Sequence, residues 1–137
     1  MTERLAIDAS ALIAILKRET GYEALADALI DPEVIIGAPT LLEVHIWMQR
    51  RLDRLHIPWF DEWLGSASTR VVVFNAEMEG FAARAYGRFG KGIHPESLNY
   101  GDCMAYAVAV SAGVPLLFKG GDFGRTDVAI HPASVLI

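Results

Sequence analysis

Residues 4–16 read RLAIDASALIAIL, and the two halves of this stretch obey different periods. Arg4, Leu5, Ala6 and Ile7 form a short apolar run suited to a buried strand, and the run stops at a carboxylate, Asp8. From there Leu12, Ile15 and Leu16 recur at helical spacing, and Lys17, Arg18 and Glu19 close the helix. A strand that passes straight into a helix is half of a β-α-β unit, and the rest of the chain repeats the alternation. Val34, Ile35 and Ile36, set between Pro32 and Gly37, predict a second strand. Residues 70–74 (RVVVF), 114–118 (VPLLF) and 134–137 (SVLI, an edge strand) predict three more. Helices are expected over 21–30, from Pro39-Thr40 to about Leu52, after Pro58, from Ala76 to about Phe89 behind the N-cap Asn75, and over 99–112 up to Gly113. Residues 90–98 and 120–127 read as loops rich in turn formers. The fold class is α/β, a mostly parallel central sheet of four to five strands with helices on both faces. The absence of polar alternation in VVVF and PLLF predicts burial of both strands on both sides.

The chain has 137 residues, which suits one domain over 1–137, with no repeat or linker to divide it. Its hydrophobic fraction of 53% is too high for a disordered tail. The longest uncharged stretch, 103–118, is broken by Gly113-Val114-Pro115, short of a membrane span. A single cysteine, Cys103, excludes an internal disulfide framework and a cysteine-cluster zinc site. No basic, apolar leader opens the chain, so a cytoplasmic location is expected. Twelve Lys and Arg against seventeen Asp and Glu give a net charge of −5, which argues against nucleic-acid binding by a basic face. Phosphate chemistry in such a chain requires a metal cation.

Ligands of parallel α/β sheets bind beyond the carboxyl ends of the strands, where the following helices begin. Asp8 ends the first strand, Glu43 lies near the start of the helix after the second, and Asp102 opens the helix that feeds the fourth. Asp122 follows that fourth strand, with Asp127 further along the same loop. Each acid has an ordinary structural explanation. Asp8 can cap its helix, Thr40 and Glu43 have the spacing of a capping box, and so do Asn99 and Asp102. Asp122 after Gly120-Gly121 can be a turn acid. None of these explains why all point to one edge. Carboxylates crowded together repel and hold each other's protons, and a divalent cation removes that penalty. Oxygen ligands without His or Cys partners suit Mg²⁺, with Mn²⁺ as a substitute, better than zinc.

Other residues carry less. His45 can face this edge or be an ordinary helix histidine, and His56, His94 and His131 have no metal-ligand spacing. Cys103 reads as a small core residue, and Trp47, Trp59 and Trp63 as core or as a partner surface. Arg50, Arg51 and Arg54 can hold flanking phosphates or simply form a solvated helix face. Ser10 and Thr126 are candidate hydroxyl donors.

The stretches Ile7-Asp8-Ala9-Ser10-Ala11-Leu12, Thr40-Leu41-Leu42-Glu43-Val44, Leu98-Asn99-Tyr100-Gly101-Asp102-Cys103 and Leu117-Phe118-Lys119-Gly120-Gly121-Asp122-Phe123, then Thr126-Asp127, together resemble the motifs of PIN-domain nucleases. More closely they resemble the VapC toxins of bacterial and archaeal toxin–antitoxin pairs. The resemblance covers essentially the whole chain in order. It implies a metal-dependent endoribonuclease acting on RNA, homodimeric, and held inactive by a VapB-type antitoxin. On that pattern Asp8, Glu43 and Asp102 match the three core acids, with Asp8 and Asp102 as direct Mg²⁺ ligands. Asp122 is the favoured fourth acid with Asp127 in reserve, and Ser10, Asn99 and Thr126 match supporting polar positions. Three other readings compete: a receiver-like domain, a phosphatase with an Asp nucleophile, which needs a second acid where this chain has Ser10, and a binding module whose acids are only caps. A receiver needs an acid where the third strand ends, and that position reads Val73-Phe74-Asn75.

Overall fold

The change of period at Asp8 is a change of element: β1 (Arg4–Ile7) gives way to α1 (Ala9–Lys17) across that one residue. A computed structural model of the chain describes residues 3–51, 57–90, 92 and 97–137. After α1 come α2 (Tyr22–Asp27), β2 (Glu33–Gly37), α3 (Ala38–Gln49), α4 (Ile57–Leu64) and β3 (Thr69–Val72). Then follow α5 (Ala76–Phe89), α6 (Tyr100–Ala112), β4 (Leu116–Leu117), β5 (Lys119–Gly120) and β6 (Val135–Leu136).

Four strands form one parallel sheet in the order β3-β2-β1-β4, and β5 pairs with β6 in a separate parallel ladder. Successive strand residues face opposite sides, so the sheet feeds two cores. Leu5, Ile7, Val34, Ile36 and Leu117 join one core with residues of α1, α2, α3 and α4. Ala6, Ile35, Leu116 and Phe118 join the other beneath α5 and α6. Each Leu or Ile fully buried in these layers contributes roughly 1.5–3 kcal/mol. The chain steps from β1 to β2 to β3 with its connecting helices on one face, and returns to β4 with α5 and α6 on the other, as right-handed crossovers demand. Because the order reverses at β1, with β2 on one side and β4 on the other, the crevice between β1 and β4 is the topological switch point.

Several expectations are corrected. VVVF is not buried on both sides: among the described residues β3 is the sheet's edge, paired with β2 alone, and Val71 and Val73 are 45% and 76% exposed. Apolar content alone cannot distinguish an edge from a centre. The strand at 114–118 pairs only over Leu116–Leu117, because Val114 still closes the turn after α6 and Lys119 turns toward β6. The final strand joins β5 and leaves the main sheet with four members. α3 begins at Ala38 rather than at Pro39-Thr40, with Gly37 as N-cap and no side chain bonded to the first turn. Thr40 therefore sits inside the helix, buried with no partner for its hydroxyl among the described residues, and the expected Thr40–Glu43 capping box does not form. Arg54, His56, His94 and the predicted end of α3 at Leu52 lie outside the described residues. Among the described residues no helix is long and apolar enough to cross a membrane.

Candidate active site

Asp8 is the N-cap of α1, where its Oδ2 accepts the Ser10 N–H at 3.1 Å. The capping explanation is thus correct for Asp8, but it is incomplete. The carboxyl is buried, and that burial holds its pKa above the usual carboxylate range, opposed by hydrogen bonds from Ser10 and reinforced by the Asp122 charge. The Asp8 N–H donates to the Leu117 carbonyl at 3.0 Å, which locks the end of β1 to β4. Ser10 supplies a second tie: its hydroxyl bonds to Asp8, and its Oγ accepts the Lys119 N–H at 3.1 Å. The start of α1 is thereby fixed to the strand that leads into the Asp122 loop.

Asp102 reaches the same place from the other layer. Asn99 caps α6 by accepting the Asp102 N–H at 2.9 Å, and the Asp102 carboxylate accepts the Asn99 N–H at 3.1 Å. This capping box fixes the carboxyl at the sheet edge, buried and turned toward its counterparts. Burial first, then the charges of Asp8 and Asp122, push its pKa up to about 8 against the pull of the Asn99 N–H. Asp122, exposed in the loop after β5, also shares a hydrogen bond with the Asp102 carboxyl.

Glu43 comes from the second turn of α3. The residue is exposed, but its tip lies against α6: a Cβ placed on Gly101 would stand 2.6 Å from Oε1. Burial of that tip and the Asp8 charge raise its pKa. Among the described residues no Lys, Arg or His stands within ion-pair distance of Asp8, Glu43, Asp102 or Asp122. The nearby Lys119 ammonium is directed to Glu19 at 3.9 Å instead.

Asp127 lies elsewhere. Its carboxylate takes the Tyr106 hydroxyl as a hydrogen-bond donor and the Arg88 guanidinium at 3.0 Å, and both hold its pKa below the usual range. Thr126 Oγ1 donates to the Phe123 carbonyl at 2.9 Å, which ties its hydroxyl to the loop's own turn. The structure therefore brings together Asp8, Glu43, Asp102 and Asp122 with Ser10 and Asn99, and leaves Asp127 and Thr126 outside that group.

The four carboxylates are all hard oxygen donors, with no His or Cys joining them. They are gathered but not closed: no three such side chains among the described residues already surround one point as a metal-ligand shell. His45 packs edge-on to Phe60, and His131 Nδ1 accepts the Ala133 N–H. Cys103 is buried beside Asp102, and burial followed by that charge raises its thiol to about 11, so it is an inert core residue. Trp63 is core, and Trp59 stacks on it. Asn75 caps α5 through the Met78 N–H, which removes the acid position a receiver requires.

Two features escaped the sequence reading. Gly101 is one. The other is a groove of about 1170 Å³ between α3, α5 and α6, with Glu43 on its wall and Leu42, Ile46 and Tyr100 exposed along it. Leu42 and Ile46 are one helical turn apart, and that apolar pair beside an acid was the available signal.

A sequence model of the PIN domain matches residues 5–129. The ribonuclease VapC of Mycolicibacterium smegmatis is 43% identical over 126 residues, which are 91% of this chain and 98% of that relative. Solved structures of low identity share the fold. A toxin–antitoxin complex from Klebsiella pneumoniae matches with a TM-score of 0.69 at 13% identity, over 96% of this chain and 99% of that one. Mycobacterium tuberculosis VapC20, described as a sarcin–ricin loop cleaving toxin, matches with a TM-score of 0.68 at 19% identity, over 91% and 96%. With the family match running from β1 past β5, and a relative matched over nearly its whole length, the chain belongs to the PIN-domain family and, within it, to the VapC ribonucleases.

Proposed function

We propose that this chain is a cytoplasmic endoribonuclease toxin that hydrolyses RNA phosphodiester bonds with a divalent cation, Mg²⁺ or in its place Mn²⁺, at Asp8, Glu43, Asp102 and Asp122. One observation carries the reading: four carboxylates, two of them buried, share one crevice at the switch point without a cationic side chain among the described residues. Such a group is repulsive when empty and becomes favourable when a dication enters. The cation supplies Lewis-acid chemistry when bound, making water nucleophilic and neutralising phosphate charge.

The chain's own residues do the rest. Asp8 and Asp102, held by backbone N–H donors from Ser10 and Asn99, present fixed oxygens from opposite sides of the sheet. Burial and its acidic neighbours raise the Asp102 pKa to about 8, so this carboxyl would have to lose its proton to hold a dication. Glu43, closer to solvent, would hold the cation from the α3 side, and Asp122 would complete the ring of charge. Ser10 keeps the α1 and β5 sides of the crevice in register.

The VapC relative and the Klebsiella toxin–antitoxin complex support a VapB-type antitoxin as partner. The groove beside Glu43 suits an antitoxin segment that combines apolar side chains with Arg or Lys, since Glu43 and Glu79 flank its apolar floor. We also propose a homodimer, as the resemblance to VapC toxins implies. The test is direct: purified protein cleaves RNA with Mg²⁺ and stops with EDTA or with Asp8→Asn. Cleavage that survives either treatment overturns the metal mechanism.

A further inference from the structure

We infer that Gly101 is a positioning residue for Glu43: the glycine leaves vacant, on the first turn of α6, the space that the Glu43 carboxylate fills. This rests on the function proposed above and adds a residue to it. A Cβ at position 101 would lie 2.6 Å from Glu43 Oε1, 3.2 Å from its Cδ and 3.3 Å from Oε2. Those separations are too short to coexist with the observed carboxylate.

Nothing in the backbone asks for glycine here. Gly101 lies inside a helix and is absent from the positive-φ glycines, which are Gly21, Gly92, Gly113 and Gly120. Inside a helix glycine is disfavoured relative to alanine, so its presence calls for another cause. Elsewhere a missing side chain makes room for packing, as at Gly37, where a Cβ would meet Val108 at 2.9 Å. Among the described glycines only Gly101 yields its place to a side-chain carboxylate.

Glu43 needs this kind of placement. Asp8 and Asp102 are held by hydrogen bonds, whereas Glu43 has no hydrogen bond or ion pair among the described residues. Its tip is located by the shape of α6 beneath it. The atom in the way is also the far end of a flexible side chain, so a methyl group at position 101 moves the carboxylate rather than the helix. The fold should tolerate the change and the cation should not.

The experiment compares wild type, Gly101→Ala, Glu43→Ala, the double variant and Asp8→Asn as full-length metal-free proteins. Mn²⁺ affinity is read by calorimetry and stability by thermal melting without metal. Gly101→Ala is expected to weaken Mn²⁺ binding about 10- to 100-fold, the range for residues that orient ligands. Its metal-free melting temperature should equal or exceed that of wild type. In the Glu43→Ala background the same change should have no further effect on Mn²⁺ affinity, because no carboxylate remains to displace. Multiplicative losses in the double variant, a lowered metal-free melting temperature, or unchanged Mn²⁺ affinity in Gly101→Ala would each overturn the inference. If Asp8→Asn abolishes Mn²⁺ binding while Gly101→Ala keeps it, this inference alone falls. If Asp8→Asn binds as wild type does, the parent reading falls.

Discussion

Asp122 and Asp127 occupy one loop, and they meet opposite surroundings. Asp127 has a guanidinium at 3.0 Å and a phenol donating to it, and its pKa is lowered. Asp122 faces Asp8 and Asp102, raising the pKa of both, with no cationic side chain in ion-pair range among the described residues. The first acid has its counter-charge built into the fold and serves to fasten the loop to α5 and α6. The second belongs to a group with no counter-charge among the described residues, and the proposed cation would supply it. A carboxylate's position in a motif does not say which of these it is; its neighbours do.

The largest expected effect tests this contrast through activity. Asp8→Asn or Asp102→Asn should lower Mg²⁺-dependent RNA cleavage on the order of 10²- to 10³-fold or more, as loss of a charge-stabilising group does. Asp127→Asn should cost less than about tenfold in the same assay, and equal losses would erase the distinction. Next comes stabilisation by the cation itself. Mg²⁺ at about 100 times its dissociation constant should add about 2.7 kcal/mol to wild type and to Asp127→Asn, and nothing to Asp8→Asn, as read by melting with and without EDTA.

A smaller effect is the response to pH without metal, and the two regions should differ in sign. Between 3.8 and about 8 the folded chain keeps a proton on Asp102 that the unfolded chain has lost, so this contribution to stability falls as pH rises. Asp8, also raised, adds to the same trend. Asp127 is lowered, so its contribution is present above 3.8 and disappears as acid titrates it. Asp102→Asn should therefore melt several degrees above wild type at pH 8 and lose that advantage near pH 4, at roughly 4 °C per kcal/mol. A variant that melts lower at pH 8 would contradict the direction of the shift. The smallest effect is Arg88→Ala, which removes an ion pair with 60% and 49% exposed side chains and should cost about 0.2–1 kcal/mol in denaturant unfolding.

The sequence carried the parts of this arrangement that are local. Asn75 caps α5, Asn99 caps α6 and Gly113 ends α6, each as the residues predict, because capping and the left-handed turn involve only neighbours in the chain. The convergence of Asp8, Glu43 and Asp102 was legible because strand–helix alternation fixes which end of the sheet each acid occupies. Non-local facts were not legible. Strand order decided that VVVF is an edge, and the packing of α3 against α6 decided that Glu43 meets Gly101. The helix start at Ala38 was missed because Gly37 caps without a side chain, leaving Thr40 and Glu43 to imitate a motif they do not form.

Asp8 hangs from the layer that contains α1, and Asp102 from the opposite layer beneath α6, so the crevice is the place where two separately packed halves meet. A dication seated there would act as a rivet through the sheet. Loading should slow amide hydrogen exchange on both sides at once, and a chelator should release them together, so that the reagent that silences the chemistry also loosens the architecture.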